Sequence, residues 1–189
     1  LYRATNTHLL RPRMASGHLQ GQLLRMLTGM IRPKVVVEIG TYSGYSALSM
    51  AAGMTADAVL HTFEINDEQE VFTRPWLEGS PYPPRIVLHI GEVEKLLPPM
   101  NLSIDLAFID ANKRQYVDYY NLLMPFIAPG GYILADNTLW DGHVIDPAYD
   151  RDAQTRGIRA FNDLVRDDER VEKVILPLRD GLSLIRKIG

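Results

Sequence analysis

The chain has 189 residues, 46% of them hydrophobic, and a formal net charge of −3. This length and apolar content are enough for one domain with a sizeable core. The charge provides no overall basic field, which argues against a nucleic-acid partner or an anionic membrane surface. The absence of cysteine excludes disulfides, thiolate metal sites and cysteine nucleophiles.

No apolar run reaches the roughly 18 residues that a membrane-spanning helix needs. No secretory signal is visible, and a chain without cysteine fits a reducing compartment. We therefore expect a cytoplasmic protein.

Helical and strand patterns alternate along the chain, with no repeat and no long linker. An amphipathic helix is predicted where apolar residues recur at helical spacing, at Leu19, Leu23, Met26, Leu27 and Met30. Strands are predicted, in chain order, at residues 35–39, 59–65, 86–90, 104–109, 132–135, 171–176 and 182–185. Helices are predicted at residues 18–31, 43–52, 67–77 and 93–97, then around residues 116–123 and after a cap at Asp152.

Repeated strand–helix alternation predicts an α/β fold with a mostly parallel sheet and helices on both faces. The last two strands are joined by a short connection without a helix, residues 177–181, which predicts an antiparallel hairpin. A turn is predicted at residues 129–131, leading into the fifth strand. Ligands of such sheets bind beyond the carboxyl ends of the strands, so polar residues at strand ends are the candidate functional residues.

A glycine loop follows the first predicted strand, in the sequence Glu-Ile-Gly-Thr-Tyr-Ser-Gly-Tyr-Ser at residues 38–46. Gly40 permits close approach of the backbone to a ligand, and a helix N-terminus offers unpaired amides. Glu38 would repel a diphosphate but can hold a cationic amino group. A tight strand-to-helix turn without a ligand is the alternative.

Glu64 ends the second predicted strand. A carboxylate at this position can accept both hydroxyls of a ribose, whereas the alternative is a solvated acid that caps a helix. Together with Glu38 and Gly40, it describes a nucleoside ligand that carries an amine and no phosphate. S-adenosylmethionine fits that description.

Two more acids, Asp110 and Asp136, directly follow apolar runs. With Asn137 they offer three oxygen donors, which suit Mg²⁺ or Ca²⁺ and leave positions for the two oxygens of a vicinal diol. Lys113 lies about one helical turn beyond Asp110, and a nearby cation favours the neutral amine that a general base requires. The alternatives are a turn or cap for Asp136 and Asn137, and a solvated lysine.

These motifs together resemble the cation-dependent O-methyltransferases, the family of the catechol and caffeoyl-CoA enzymes, and look closest to the bacterial and caffeoyl-CoA branch. The most specific block is Ala-Asp-Asn-Thr-Leu-Trp-Asp-Gly at residues 135–142. The resemblance implies one Rossmann-like, class I S-adenosylmethionine-dependent methyltransferase domain over residues 1–189. Within it, residues 1–33 would form a helical substrate-lid segment and residues 34–189 the core. A homodimer is also implied.

The resemblance implies a role for each matching residue. Asp110, Asp136 and Asn137 would bind Mg²⁺ or another divalent cation such as Ca²⁺ or Mn²⁺, with Lys113 and Asp110 as the catalytic residues. Trp140 falls where the family presents an aromatic side chain to the substrate ring. The residues that match cofactor-binding positions are Ser16, Glu38, Gly40, Ser46, Glu64 and Val93. The implied reaction is in-line transfer of a methyl group from a sulfonium to one hydroxyl of a small catechol or caffeoyl-type diol.

One residue departs from the family pattern, because many relatives have an aspartate where this chain has Asn112.

Two other functions are disfavoured. A methyltransferase acting on RNA or protein is disfavoured by the net charge and by the lack of an Asn-Pro-Pro-Tyr-like segment. A non-catalytic S-adenosylmethionine-binding protein is disfavoured by the complete set of ligands and lysine. The acceptor stays open among a catechol, a caffeoyl ester and a flavonoid.

Overall fold

Strands and helices alternate along the chain in the predicted order. The computed structural model describes residues 1–189. They form an N-terminal unit, Leu1–Met100, and a C-terminal unit, Asn101–Gly189.

The N-terminal unit contains three parallel strands, with β2 paired to both β1 and β3. The strands are β1 (Val35–Ile39), β2 (Val59–Glu64) and β3 (Arg85–Ile90). The helices are α1 (Tyr2–His8), α2 (Gly17–Ile31), α3 (Tyr45–Ala51), α4 (Glu70–Glu78) and α5 (Val93–Leu96). All of β1 beyond its first residue is buried, as its continuous apolar sequence predicts.

The predicted helix α2 is confirmed, but its apolar stripe does not form the buried face. Leu19, Met26 and Met30 are 65%, 54% and 74% exposed. The residues that α2 buries are Gln20, Gly21, Leu24 and Thr28. Close packing against α3 explains why this face of α2 is buried, since a Cβ atom at Gly21 would lie 2.8 Å from the Ser49 hydroxyl.

The C-terminal unit contains four strands and two helices. Strand β4 (Ile104–Ile109) pairs parallel with β5 (Ile127–Asp136). Strand β7 (Leu182–Lys187) pairs antiparallel with β5 and with β6 (Val171–Leu176), which confirms the predicted hairpin. The helices are α6 (Tyr116–Leu123) and α7 (Ala153–Asp167), the latter capped by Asp152 as predicted.

Strand β5 begins earlier than predicted. The predicted turn at residues 129–131 lies inside the strand, so that prediction is wrong. The register with β4 shifts from Ile104 opposite Ile127 to Leu106 opposite Tyr132, which leaves the intervening residues as an irregularity in the pairing. Gly130, with φ of 79°, permits this irregular backbone.

The strand order is β3-β2-β1 within the N-terminal unit and β4-β5-β7-β6 within the C-terminal unit. These seven strands and their pairings confirm the predicted mostly parallel fold with a C-terminal antiparallel hairpin. None of the helices combines the length and hydropathy that a bilayer-crossing segment needs.

Packing between α6 and α7 positions the end of β4. The fully buried rings of Tyr116 and Tyr120 meet Phe161 edge-on, with centroids 5.4 and 6.0 Å apart. Gly157 allows α7 to approach the turn before α6, because a Cβ atom there would lie 2.3 Å from the carbonyl oxygen of Lys113. The backbone of Lys113 is thereby held against a helix.

Candidate active site

Asp110 and Lys113 form an ion pair just beyond β4. The Nζ of Lys113 donates to Oδ1 of Asp110 at 2.8 Å and to the hydroxyl oxygen of Tyr116 at 2.9 Å. The side chains of Lys113 and Asp110 are only 10% and 17% exposed. The structure therefore brings together the two residues predicted to be catalytic, and Lys113 is not a solvated lysine.

The turn that carries Lys113 is capped by Asn112. Its Oδ1 accepts from the backbone N–H of Arg114 at 3.2 Å, and its Nδ2 donates to Gln115 at 2.9 Å. An aspartate oxygen can accept the same backbone bond. The residue that departs from the family pattern thus has a local structural role in the turn that carries the lysine.

Burial lowers the pKa of Lys113, but the Asp110 carboxylate and the Tyr116 hydroxyl raise it more, so the net pKa lies above the ordinary lysine value. This direction is opposite to the predicted one. A neighbouring cation would favour the neutral amine, whereas the ion pair with Asp110 favours the charged one.

Tyr116 connects the lysine to the ends of two strands. Its hydroxyl lies 3.0 Å from the carbonyl oxygen of Asp136 and 3.3 Å from that of Ile109. Burial raises the pKa of Tyr116, although Lys113 opposes the shift, so the hydroxyl keeps its proton. In the sequence, Tyr116 stands out only as part of an apolar helix face. Its position three residues after Lys113 is the signal that could have identified it.

Asp136 and Asn137 lie at the carboxyl end of β5. Oδ1 of Asp136 accepts from the backbone N–H of Asn137 at 2.8 Å, and Asn137 has a left-handed φ of 58°. The Nδ2 of Asn137 donates to Asp180 at 3.3 Å. Because Asp180 uses the amide nitrogen, the amide oxygen is the atom that Asn137 can offer to a cation. No predicted motif contains Asp180.

The donor set of Asp110, Asp136 and Asn137 fits a hard divalent cation. It contains two carboxylates and one amide oxygen, the donors that Mg²⁺ and Ca²⁺ prefer. The chain has no group of three or more histidine, aspartate or glutamate side chains placed to hold a metal. The set therefore depends on the amide oxygen of Asn137 for its third protein donor.

The segment after β5 has a strained backbone. Trp140 and Asp141 have φ of 48° and 50°, in the left-handed region that residues other than glycine rarely adopt. The backbone N–H of Asp141 donates to Asp180, so one carboxylate holds both this segment and the Asn137 amide. Strain of this kind persists where surrounding contacts impose it, often at ligand sites. Trp140 is half-buried.

The glycine loop lies in the N-terminal unit. Gly40 has φ of 100°, a backbone conformation suited to glycine. Its N–H and that of Thr41 both donate to the carbonyl of Phe63, at 3.0 and 3.2 Å. These two amides are therefore used within the protein and not kept for a ligand. Ser43 in the same loop is 1% exposed, and its hydroxyl has no hydrogen-bond partner. That buried, unsatisfied hydroxyl fits a loop that receives a polar ligand.

Glu38 is fully buried in β1. Its Oε2 accepts from the Thr62 hydroxyl at 2.5 Å, and Thr62 lies 2.5 Å from the Thr41 hydroxyl. This short network orients the carboxylate at the strand end from which the glycine loop starts.

Glu64 ends β2, as predicted. Its two carboxylate oxygens accept from the backbone N–H groups of Tyr42 and Asn66, at 2.8 and 2.9 Å. A carboxylate offers about four lone-pair sites, so capacity remains for two ribose hydroxyls. The helix-capping alternative is disfavoured, because the following turn is capped by Asn66, whose side chain accepts from Glu68.

The other predicted cofactor residues are buried in the same unit. Ser16 precedes α2, Ser46 lies in the first turn of α3, and Val93 begins α5. All six predicted cofactor residues thus belong to the N-terminal unit. The predicted residues for the cation, the base and the substrate ring belong to the C-terminal unit.

A family model described as O-methyltransferase matches residues 1–188. The chain belongs to the O-methyltransferase family. The predicted cation-dependent O-methyltransferase family is confirmed, and so is the predicted enzyme class.

This O-methyltransferase is similar to plant relatives over most of its length. It is 34% identical to caffeoyl-CoA O-methyltransferase 2 of Zea mays over 182 residues, which cover 89% of this chain and 68% of the relative. It is also 34% identical to the caffeoyl-CoA O-methyltransferase of Petroselinum crispum over 184 residues, which cover 90% and 75%.

Solved methyltransferase structures are similar to the whole length of this chain. TomG of Streptomyces achromogenes, in complex with SAM, has a TM-score of 0.91 and 25% identity over 100% of this chain and 88% of its own. The methyltransferase PaMTH1 of Podospora anserina, bound to SAH, has a TM-score of 0.89 and 26% identity over 100% and 86%.

Three residues of this O-methyltransferase gain a candidate role only from the structure: Tyr116, Asp180 and Ser43. Tyr116 and Asp180 form hydrogen bonds with predicted site residues that the sequence does not display. Ser43 is a candidate for the opposite reason, because its buried hydroxyl has no hydrogen-bond partner.

Proposed function

We propose that this O-methyltransferase transfers a methyl group from S-adenosylmethionine to one hydroxyl of a small aromatic vicinal diol, with the help of a divalent cation. The observation that carries the proposal is the buried Lys113, held by Asp110 and Tyr116 at the end of β4. Its amine is fixed by two partners, and a cation held by Asp110 would offset the carboxylate charge that raises the lysine pKa, so that the amine would be able to take a hydroxyl proton. The similarity to caffeoyl-CoA O-methyltransferases supports a diol as the acceptor.

S-adenosylmethionine supplies an activated methyl group on a sulfonium sulfur. Its binding to this chain is supported by TomG and PaMTH1, which were solved with SAM and SAH. In this proposal Glu64 accepts the ribose hydroxyls and Glu38 holds the amino group at the glycine loop. The positions of Gly40, Ser16, Ser46 and Val93 line the same cofactor site.

A divalent cation, Mg²⁺ or alternatively Ca²⁺ or Mn²⁺, supplies positive charge that favours ionisation of the diol. Asp110, Asp136 and Asn137 would hold it. Lys113 takes the hydroxyl proton, and Asp110 stabilises the resulting ammonium. Trp140 covers the aromatic ring of the acceptor and excludes water from it.

The test is transfer of a labelled methyl group to a panel of acceptors. The panel contains a catechol, a caffeoyl ester, a flavonoid diol and, as controls, the matching phenols with a single hydroxyl. We expect methylation of diols only, loss of activity in EDTA and recovery with added Mg²⁺. Full activity in EDTA would contradict the role of the cation, and no transfer to any diol would contradict the acceptor class.

We further propose that two copies of the chain pair through the exposed stripe of α2. Leu19, Met26 and Met30 form an apolar helix face of the kind that marks interaction sites. Light scattering coupled to size exclusion should give a dimer mass, and Met30→Lys together with Met26→Lys should shift it to the monomer.

We also propose that both units belong to one methyltransferase domain, since the family model extends over both. The cytoplasmic location stays a prediction that cell fractionation can test.

A further inference from the structure

We propose that Tyr116 is a positioning residue that fixes the orientation of the Lys113 amine through a buried hydrogen bond. This inference rests on the proposed function, because it concerns the base of that reaction. It is drawn from the hydrogen-bond directions around one buried hydroxyl.

The hydroxyl of Tyr116 has one hydrogen to donate. Its neighbours at 3.0 and 3.3 Å are the carbonyl oxygens of Asp136 and Ile109, which can only accept. The hydrogen must therefore point toward these carbonyls. A protonated lysine amine can only donate, so the oxygen of Tyr116 accepts from the Nζ of Lys113 at 2.9 Å.

The hydrogen-bond partners of Lys113 likewise determine the orientation of its amine. A protonated lysine amine has three N–H bonds. One is used by Asp110 at 2.8 Å and another by Tyr116 at 2.9 Å. The third must occupy the remaining tetrahedral direction, which is the direction in which the amine gives up and regains a proton. Without the tyrosine hydroxyl, the amine could rotate about its bond to Asp110, and this third position would lose its fixed direction.

Tyr116 is itself held rigidly. Its side chain is fully buried, and its ring meets Phe161 edge-on with centroids 5.4 Å apart. Its hydroxyl is bonded to the backbone of Asp136, whose carboxylate is a proposed cation ligand. Tyr116 therefore fixes the base relative to the backbone of the cation site. Displacements on the order of 1 Å in such an arrangement can cost about a hundredfold in rate.

The test compares Tyr116→Phe with Tyr120→Phe. Both changes remove one hydroxyl from a buried ring on α6, but the hydroxyl of Tyr120 donates to Asp168 at 2.9 Å, away from the lysine. For a catechol that is neutral at the assay pH, Tyr116→Phe should lower kcat roughly 10- to 100-fold, with the KM for S-adenosylmethionine unchanged. Tyr120→Phe should keep the wild-type kcat.

A second acceptor separates positioning of the base from a purely structural role. A nitro-substituted catechol is already ionised at the assay pH and needs no base, so Tyr116→Phe should affect it much less. An equal loss with both acceptors would overturn the proposal, as would wild-type kcat with the neutral acceptor.

Chemical labelling provides a readout that does not depend on turnover. With an amine-reactive reagent and peptide mass spectrometry, Lys113 should label faster in Tyr116→Phe than in the wild type and in Tyr120→Phe. Equal labelling in all three would overturn the proposal. If the wild type methylates no acceptor, the proposed function fails, while labelling still decides the positioning role.

A measurement on the unchanged protein covers the case in which Tyr116→Phe does not fold. The Nζ protons of Lys113, observed by NMR after ¹⁵N labelling of lysine, should exchange with water more slowly than those of the exposed Lys95. Exchange as fast as that of Lys95 would contradict the two fixed hydrogen bonds.

Discussion

The amide of Asn137 is held by Asp180, with 3.3 Å between Nδ2 and the carboxylate oxygen. The same carboxylate accepts from the backbone of Asp141, next to Trp140. We predict that Asp180→Ala weakens Mg²⁺ binding roughly 10- to 100-fold, because residues that orient metal ligands have effects of this size. Calorimetric titration with Mg²⁺ measures it. Asp163→Ala, on an exposed side chain of the same unit, is the control, and equal affinities in the two variants would contradict the prediction.

Replacing Lys113 by methionine keeps the length of the side chain and removes the amine. We predict that Lys113→Met lowers kcat by roughly a hundredfold or more, the contribution of a general base. The exposed Lys95→Met serves as the control. Steady-state kinetics at saturating cofactor measure the effect. Wild-type turnover in Lys113→Met would show that the lysine is not the base.

Glu64 receives two backbone N–H groups and is proposed to accept a ribose. Glu64→Gln keeps the shape of the side chain but replaces one acceptor oxygen by a donor. We predict roughly tenfold weaker S-adenosylmethionine binding, because a lost charged hydrogen bond contributes about 1.5 kcal/mol. Equilibrium binding measures it, with Glu68→Gln as the control. Unchanged affinity in Glu64→Gln would contradict the role in ribose binding.

Asn112 caps the turn before α6 through the bond from Arg114. Asn112→Asp restores the acid found in many relatives, and aspartate caps such a turn as well as asparagine does. The added charge also lies near a helix N-terminus, where it is stabilising. We predict an unchanged or slightly higher melting temperature and no loss of turnover. Scanning calorimetry and the methyl-transfer assay check both, and a large loss of either would assign Asn112 a further role.

His61 and His89 lie side by side on β2 and β3, with Nδ1 and Nε2 3.0 Å apart. Burial lowers the pKa of His61 to about 4, and the charges of His89 and Arg85 act in the same direction. The unfolded chain binds this proton near pH 6.5, a typical histidine value, so it takes up protons before the folded chain does. As the pH falls from about 6.5 to about 4, the free energy of unfolding should therefore decrease.

The loss attributable to His61 should be on the order of 1 kcal/mol, because solvent screening reduces the effect at a half-exposed site. Urea denaturation at pH 7 and pH 5 measures it. His61→Gln should reduce the dependence on pH in this interval. An identical dependence in the variant and the wild type would contradict the prediction.

Much of the fold was predictable because its signals are local. Strand β4 has the predicted bounds, and α2 differs from its prediction by a single residue. The start of β5 was not predictable, because Pro129-Gly130-Gly131 is typical of a turn. Here it lies inside a strand, at the place where the pairing with β4 is irregular. The buried face of α2 was also not predictable, since close packing at Gly21 decides it and not the apolar stripe.

For the site, the sequence alone identified the residue types and their places at strand ends: Glu38, Glu64, Asp110 and Asp136. It could do so because a carboxylate directly after an apolar strand is rarely needed for packing. The tertiary structure decided which atoms those residues contact. It paired Lys113 with Asp110 and Tyr116, reversing the expected direction of the lysine pKa. It also placed the Asp180 carboxylate beside the Asn137 amide, although the two residues are 43 positions apart in the sequence. Hydrogen bonds and burial depend on distances in the folded chain, and spacing along the sequence does not contain those distances.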